Sequence, residues 1–216
     1  SLATFDKLKD LQILTPMKKT TLGTIELNNM LQELLNPKSI SKEERKVGDR
    51  IYRVGDKVMQ IQNNYDKRFD VKGEAKQNIE GVYNGDIGYI QKIDNVNKEL
   101  TVLFDDVREI SYDFDELDEL ELAYATTIHK SQGSEFDYVV LPLYTGYPKL
   151  FTRNLLYTAM TRAKKMLVIV GSKKMIEYMV DNIDSKNRMT GLKDKIENKC
   201  SKSIWLATFV IPILLK

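Results

Sequence analysis

Ala123-Tyr124-Ala125-Thr126-Thr127-Ile128-His129-Lys130-Ser131-Gln132-Gly133-Ser134-Glu135-Phe136 is a polar segment held between two apolar runs, Leu120 to Ala125 before it and Tyr138 to Leu143 after it. Short apolar runs with this framing read as buried strands. The segment also holds the only histidine of the protein. The first strand delivers Thr126 and Thr127 at its carboxyl end, where open parallel sheets place ligand sites. Their hydroxyls and backbone N–H groups suit phosphate oxygens. Lys130, and His129 when protonated, donate with charge assistance. Gly133 lets the backbone approach a ligand closely. Glu135 only accepts when ionised and fits a ribose hydroxyl. The same residues also suit a plain surface loop with Ser131 and Ser134 as helix caps. On these residues alone both readings stay open.

Downstream, Met166 to Val170 reads as a further buried strand, with helices over Asn154 to Arg162 and Lys173 to Ile183. Ser172 caps the second helix, which carries Met175, Ile176, Met179, Val180 and Ile183 on one face. The stretch Arg153 to Lys165 forms a second polar constellation. Leu155, Leu156, Ala159 and Ala163 face the sheet, and Tyr157 and Thr161 lie elsewhere. Arg162 ends the helix just before a strand. Its planar fork suits a phosphate bidentately, while a basic helix end that offsets the macrodipole is the alternative.

Upstream, Leu11 to Thr15 reads as a strand stopped by Pro16. Thr24 is expected to cap a helix in which Leu27, Met30, Leu31, Leu34 and Leu35 recur, ended by Asn36-Pro37. Between Gly48 and Leu117 the periodicity changes to strands. Gly55-Asp56 opens a run through Ile61, and Asn84-Gly85-Asp86 turns into Ile87, Tyr89 and Ile93. Leu100, Val102 and Phe104 follow, and Asp105-Asp106 turns the chain into Val107 to Tyr112. Asn63 to Glu80 is expected to be a long polar loop, and Asp115 to Glu119 a solvated linker. The fold expected is α/β: a parallel sheet with covering helices, interrupted by a small antiparallel barrel. The expected divisions are 1–47 and 118–185 for the α/β part, 48–117 for the barrel and 186–216 for a tail.

Composition limits the possibilities. With 216 residues, 42% hydrophobic and 30% charged, the chain has the make-up of a globular protein. A net charge of +2 means that any surface for nucleic acid must be local. Asp105 to Glu121 holds Arg108 as its only base and is expected to repel nucleic acid. The candidate basic set is Lys130, Arg153, Lys164, Lys165, Lys173 and Lys174. Cys200 is the sole cysteine, which excludes an internal disulfide, fits a reducing cytoplasm and leaves no metal-binding cluster. The apolar run Ile204 to Leu215 is shorter than the ~20 residues of a membrane span. A strand or helix packed on the body is the reading for it, with a dangling end or a surface that meets absent chain as the alternatives. No Gly-x-x-x-x-Gly-Lys-Ser/Thr segment occurs, so a complete nucleotide-hydrolysing site cannot be assembled.

Thr126 to Phe136 resembles motif V of superfamily 1 helicases, and Leu155 to Lys164 resembles motif VI, in the right order and separation. The wording is closest to the RecD-like branch, which includes the alpha subunit of exodeoxyribonuclease V. Leu14-Thr15-Pro16-Met17, Gly23-Thr24 and Leu27-Asn28 through Leu35-Asn36-Pro37 resemble the start of that branch's second motor domain. Position 20 is Thr where the family often has glycine. Gly55-Asp56-Lys57-Val58-Met59-Gln60, Asn63 to Asp66 and Tyr83 to Gly88 resemble its inserted SH3-like domain. A weaker likeness continues at Arg188 to Leu192.

The resemblance implies a RecA-like second motor domain of an ATP-driven motor that moves 5′ to 3′ on single-stranded DNA. ATP and Mg²⁺ would sit against a first motor domain that supplies the P-loop, so this segment alone is not expected to hydrolyse ATP. Arg162 would be the arginine finger at the γ-phosphate, with Gly133 and Glu135 near the nucleotide. Thr126, Thr127 and His129 would face the DNA backbone, with Lys130 assigned beside them. Partners implied are single-stranded DNA, the first motor domain and other subunits of a nuclease–helicase complex. The alternatives are the helicase half of a conjugative relaxase and a non-enzymatic module that binds nucleic acid or protein.

Overall fold

A computed structural model describes residues 5–68, 70–71, 80–143 and 150–183. The expectations for the tail, the run Ile204–Leu215, Cys200 and the Arg188 segment lie outside the described residues, as does part of the polar stretch at 72–79.

Strand β1 (Leu11–Thr15) leads through a loop into helix α1 (Thr24–Leu35). The cap is Gly23 rather than Thr24, and no side chain caps this end. A Cβ at Gly23 would lie 2.5 Å from the Lys18 carbonyl oxygen and 2.6 Å from the Thr20 nitrogen, so the loop closes only over glycine. Helix α1 also departs from the apolar expectation. Met30 and Leu34 are 65% and 73% exposed, whereas Thr24, Asn28 and Gln32 are buried. Burial of that polar row is tolerated because each amide finds partners. Asn28 donates to the carbonyls of Leu122 and Ala125, both at 2.9 Å, and accepts from the Ala125 N–H at 2.8 Å. Gln32 donates to the Asp56 carboxylate at 2.6 Å, and Asn36 does so at 2.7 Å.

The chain continues through the hairpin of β2 (Glu44–Val47) and β3 (Arg50–Arg53), then β4 (Lys57–Gln60), β5 (Asn64–Arg68), β6 (Asp70–Val71), β7 (Glu80–Val82), β8 (Ile87–Asp94), β9 (Glu99–Phe104) and β10 (Arg108–Asp113). The Asp105-Asp106 turn has both residues at positive φ, 50° and 58°, and is closed by Val107 N–H donating to the Phe104 carbonyl, three residues connecting β9 to β10. A 3₁₀ turn, Phe114–Glu119, leads to β11 (Leu120–Leu122). Next come β12 (Ala125–Thr127), β13 (Phe136–Leu143), helix α2 (Arg153–Met160), β14 (Ala163–Gly171) and helix α3 (Lys173–Asp181). Thr152 and Ser172 cap the last two helices by accepting from Leu155 N–H and Met175 N–H.

Two sheets organise these elements. One is parallel, in the order β12-β1-β13-β14. Its core includes Leu14, Val139, Leu141, Leu143, Phe151, Leu156, Ala159 and Met179. The other is antiparallel, in the order β11-β4-β8-β9-β10-β6. It encloses Tyr52, Val58, Ile90, Leu100, Val102, Phe104, Ile110 and Tyr112. Burying each Val, Leu, Ile, Phe or Met among them contributes about 1.5–3 kcal/mol against the entropy of ordering it. Strand β1 and strands β12 to β14 thus share one sheet, and the antiparallel unit is inserted between them, as the α/β expectation required.

Five further local expectations fail in whole or in part. The run Leu120 to Ala125 is not one strand. β11 pairs with β4 in the antiparallel sheet, and β12 pairs with β1 in the parallel one. The chain crosses between sheets at Ala123-Tyr124, where Ala123 N–H donates to the Lys57 carbonyl and Tyr124 OH to Asp56 at 2.8 Å. Asp115 to Glu119 is not a solvated linker. Phe114 and Leu117 are buried beneath it, and Glu119 accepts from Gln60 and Asn64. The polar stretch from Asn63 is not one loop, because β5 pairs with β7. Strand β14 lies at the sheet edge with Met166, Val168 and Val170 exposed on one face. On α3, Met179 is buried while Val180 and Ile183 are 43% and 61% exposed.

Candidate functional site

The loop from Ile128 to Glu135 runs from one edge of the parallel sheet to the other. Thr127 is level with Thr15, whereas Tyr138 is level with Leu11. At the ~3.3 Å rise of a parallel strand, the two levels are about 13 Å apart along the strands. Phe136 and Arg162 lie further toward the amino edge, where Phe136 pairs with Ala163. Only Thr126 and Thr127 therefore occupy a carboxyl strand end. The Arg162 constellation sits at the amino ends of β13 and β14, as expected of an arginine just before a strand.

At the amino edge the two sequence constellations meet. Arg162 is half-buried, and its guanidinium donates to the Ser134 carbonyl at 2.9 Å and to Thr161 Oγ1 at 3.3 Å. In return Phe136 N–H donates to the Arg162 carbonyl at 2.9 Å. Arg162 Nε is buried without a hydrogen-bond partner. Gly133, one residue before Ser134, has φ +93°, and a Cβ there would meet nothing within 4 Å. Its need for glycine is therefore backbone conformation rather than crowding, and its surroundings are open. Glu135 forms a 3.5 Å ion pair with Lys164, both side chains being more than half exposed. Such a pair is loosely held. Gly133, Glu135 and Arg162 are thus brought to one place, with an unsatisfied donor on the arginine.

At the carboxyl edge the arrangement differs from expectation. Thr126 is 4% exposed, and its Oγ1 has no hydrogen-bond partner. Thr127 Oγ1 accepts from Lys130 N–H, Ser131 Oγ donates to the Ile128 carbonyl, and His129 is exposed. Lys130 does not project freely, because its ammonium lies 2.7 Å from the Glu121 carboxylate. Glu121 also receives Lys18 at 2.9 Å and Arg50 at 3.3 Å. Burial raises the Glu121 pKa, but hydrogen bonds from Lys130 and Lys18 outweigh it and hold the carboxyl below its ordinary value.

The basic set expected from sequence does not converge. Lys165 pairs with Asp137 at 2.6 Å, Arg153 donates to the Val180 carbonyl, and Lys173 faces Glu177 at 3.7 Å. The convergent cations are Lys18, Arg50 and Lys130. Sequence reasoning missed Lys18 and Arg50, and missed that Glu121 at the end of the acidic run is surrounded by bases. Lys18 follows β1, the neighbour of β12, which is the one pointer available. Nothing local marks Arg50.

The SH3 domain of ATP-dependent RecD-like DNA helicases matches residues 27–104, and the UvrD-like helicase C-terminal domain matches residues 122–170. The chain belongs to the RecD-like superfamily 1 helicases. An ATP-dependent RecD2 DNA helicase of Deinococcus radiodurans is 36% identical over 74% of this RecD-like chain and 20% of its own length. The RecBCD enzyme subunit RecD of Buchnera aphidicola subsp. Schizaphis graminum is 25% identical over 77% of the chain and 26% of its own length. The RecD-like chain thus spans about a quarter or less of these two relatives. A Pif1 helicase from Bacteroides, crystallised with ADP-AlF3 and single-stranded DNA, shares the fold at TM-score 0.50 and 18% identity, over 88% of this chain and 46% of its own. Among the described residues, no helix is long and apolar enough to cross a membrane.

Proposed function

We propose that this chain is the second motor domain, with its inserted SH3-like unit, of an ATP-dependent helicase that moves 5′ to 3′ along single-stranded DNA. The observation that carries this reading is the seat of Arg162. Its guanidinium rests on the Ser134 carbonyl between Gly133 and Glu135, with Nε unpaired. An arginine held at the rim of a site, with donors in reserve, suits a γ-phosphate supplied by a facing domain.

ATP with Mg²⁺ would supply the phosphoryl group whose transfer drives the cycle. The residues present fit the nucleotide side of that site. Gly133 leaves open space for close approach, Glu135 accepts, and Arg162 donates. Among the described residues no cluster of three metal-ligating side chains exists, so the metal's ligands are assigned to the facing P-loop domain. Thr126, Thr127 and His129 are assigned to the DNA backbone. One loop would then join the two functions, because a displacement of Ser134 by movement of Arg162 is carried toward His129 within a few residues. In a cell that role is cytoplasmic, in DNA repair or recombination, alone or beside nuclease subunits.

The test is ATP turnover by the 216-residue chain with and without a P-loop-bearing motor domain. The chain alone is expected to show no DNA-stimulated hydrolysis, and addition of the P-loop domain in one polypeptide to restore it. Hydrolysis by the isolated chain that disappears in Arg162→Ala overturns the division of the site.

A further inference from the structure

Two adjoining surface hollows between α1 and β12 share Lys18, Thr24, Asn28, Glu121 and Leu122. One extends to Arg50, the other to Thr126, Thr127 and Lys130. Three cationic side chains converge there on a single carboxylate, so positive charge remains in excess. Glu121 is the most buried of the four, its side chain 19% exposed against 50%, 41% and 32% for Lys18, Arg50 and Lys130. Thr126 contributes a buried hydroxyl with no partner. A hydroxyl donor and a fork of cations are the complement of a phosphodiester. The carboxylate at their centre is what a phosphate would have to replace.

We propose that this hollow holds a backbone phosphate of single-stranded DNA, and that Glu121 is an internal counter-ion that occupies the cations until DNA displaces it. The inference rests on the DNA-track reading above and adds Lys18, Arg50 and Glu121 to it. The displaced carboxylate has somewhere to go, because its side chain is 19% exposed to solvent. Arg50 also donates to the Leu120 carbonyl at 2.8 Å, which keeps its fork in place when Glu121 moves. Holding the cations on Glu121 has two consequences. It lowers affinity, since each binding event breaks ion pairs already made. It also flattens the salt dependence, since fewer free counter-ions are released.

The experiment is fluorescence anisotropy of a labelled twenty-nucleotide oligothymidylate titrated with the chain over a series of salt concentrations. Glu121→Gln keeps the side-chain size and removes the competing charge. It is expected to tighten binding about fivefold at low salt, the scale of one charge removed from a partly solvated phosphate site. Arg50→Ala is expected to weaken binding and to reduce the slope of log K against log salt by about 0.7. Thermal unfolding checks that each variant is folded, and Lys18→Ala, at a half-exposed position, repeats the test should Glu121→Gln unfold. Oligothymidylate binding that responds to Thr126→Val and His129→Ala but not to substitution of Lys18, Arg50 or Glu121 overturns this inference and leaves the DNA-track reading standing. Absence of binding by every variant and by the unaltered chain sinks both. An effect of Glu121→Gln on ATP binding in place of oligothymidylate binding makes the hollow a nucleotide site and also overturns it.

Discussion

The antiparallel unit and the parallel sheet treat their polar residues in opposite ways. Among the described residues of the antiparallel unit, buried side chains find partners within it or on α1, Arg45 Nε excepted. Asp56 accepts from Gln32, Asn36, Tyr124 and the Arg53 N–H, Tyr112 donates to Gln60, and Arg108 bridges Asp86 and Asp105. In the parallel sheet, polar groups at both edges are left with capacity to spare. Thr126 Oγ1 and Arg162 Nε are buried and unpaired, and Gly133 faces open space. Satisfied networks specify a structure, whereas unsatisfied buried groups are costly and call for a partner such as water or a ligand. The contrast accords with the proposed division between a brace and a working surface within one chain.

The sharpest way to break that division is Arg162→Ala in a protein that carries the P-loop domain as well. The DNA-stimulated kcat is expected to fall by ~10³-fold or more, with the midpoint of thermal unfolding nearly unchanged. Steady-state ATPase assays and calorimetry together check this. A near-normal kcat removes Arg162 from the working surface, and a large loss of stability moves it to the brace.

Asp56→Ala attacks the other side. It leaves Tyr124 OH and the Arg53 N–H without an acceptor and strips Gln32 and Asn36 of one partner each. Loss of about 3 kcal/mol is expected in urea denaturation, because orphaned buried donors forfeit their desolvation cost in full. Oligothymidylate affinity per folded molecule is expected to hold. A variant of normal stability refutes the brace.

A third experiment sharpens where the two regions meet. Lys57 is 2% exposed and donates to the Leu11 carbonyl at 3.2 Å, tying β4 to β1. Burial lowers its pKa from 10.5 to about 8, against the opposing charges of Asp6 and Asp10. Between those two values the unfolded chain binds more protons than the folded one, so the Lys57 contribution to stability rises with pH. Below pH 8 both states are charged and the burial cost is fully present. Lys57→Met has no such group. The stability of the wild-type chain relative to Lys57→Met is therefore expected to rise by about 2–3 kcal/mol from pH ~8 to ~10.5. Urea denaturation of both proteins across that range checks it, since tyrosine ionisation is common to the pair. A constant difference shows that Lys57 is not buried at the junction.

Periodicity revealed the elements whose environment is uniform. β1, β8, β9, α2 and α3 were all legible, because a strand or helix with one buried face repeats its apolar residues at a fixed interval. It failed where environment changes within a run. Leu120 to Ala125 is apolar throughout, so nothing local marks the crossing from one sheet to the other. On α1 it held for Leu31 and Leu35, which pack on the antiparallel core, and failed for Met30 and Leu34. The helix instead buries Asn28 and Gln32, because their partners, Asp56 and the Leu122 and Ala125 carbonyls, come from distant parts of the chain.

The candidate site divides in the same manner. From sequence alone came the types of group and their order: hydroxyls, imidazole, glycine and carboxylate in one loop, and an arginine after a helix. These depend on local chemistry, and local chemistry is written in consecutive residues. The tertiary structure decided which of them meet. Arg162 reaches Ser134 because β13 and β14 are adjacent and Phe136 pairs with Ala163. Lys130 is drawn to Glu121, and Lys18 and Arg50 join it, because the order β12-β1 and the pairing of β11 with β4 bring four separate segments to one edge. Charge acts through space at a few ångströms, and sequence separation carries no information about that distance until the sheets are paired.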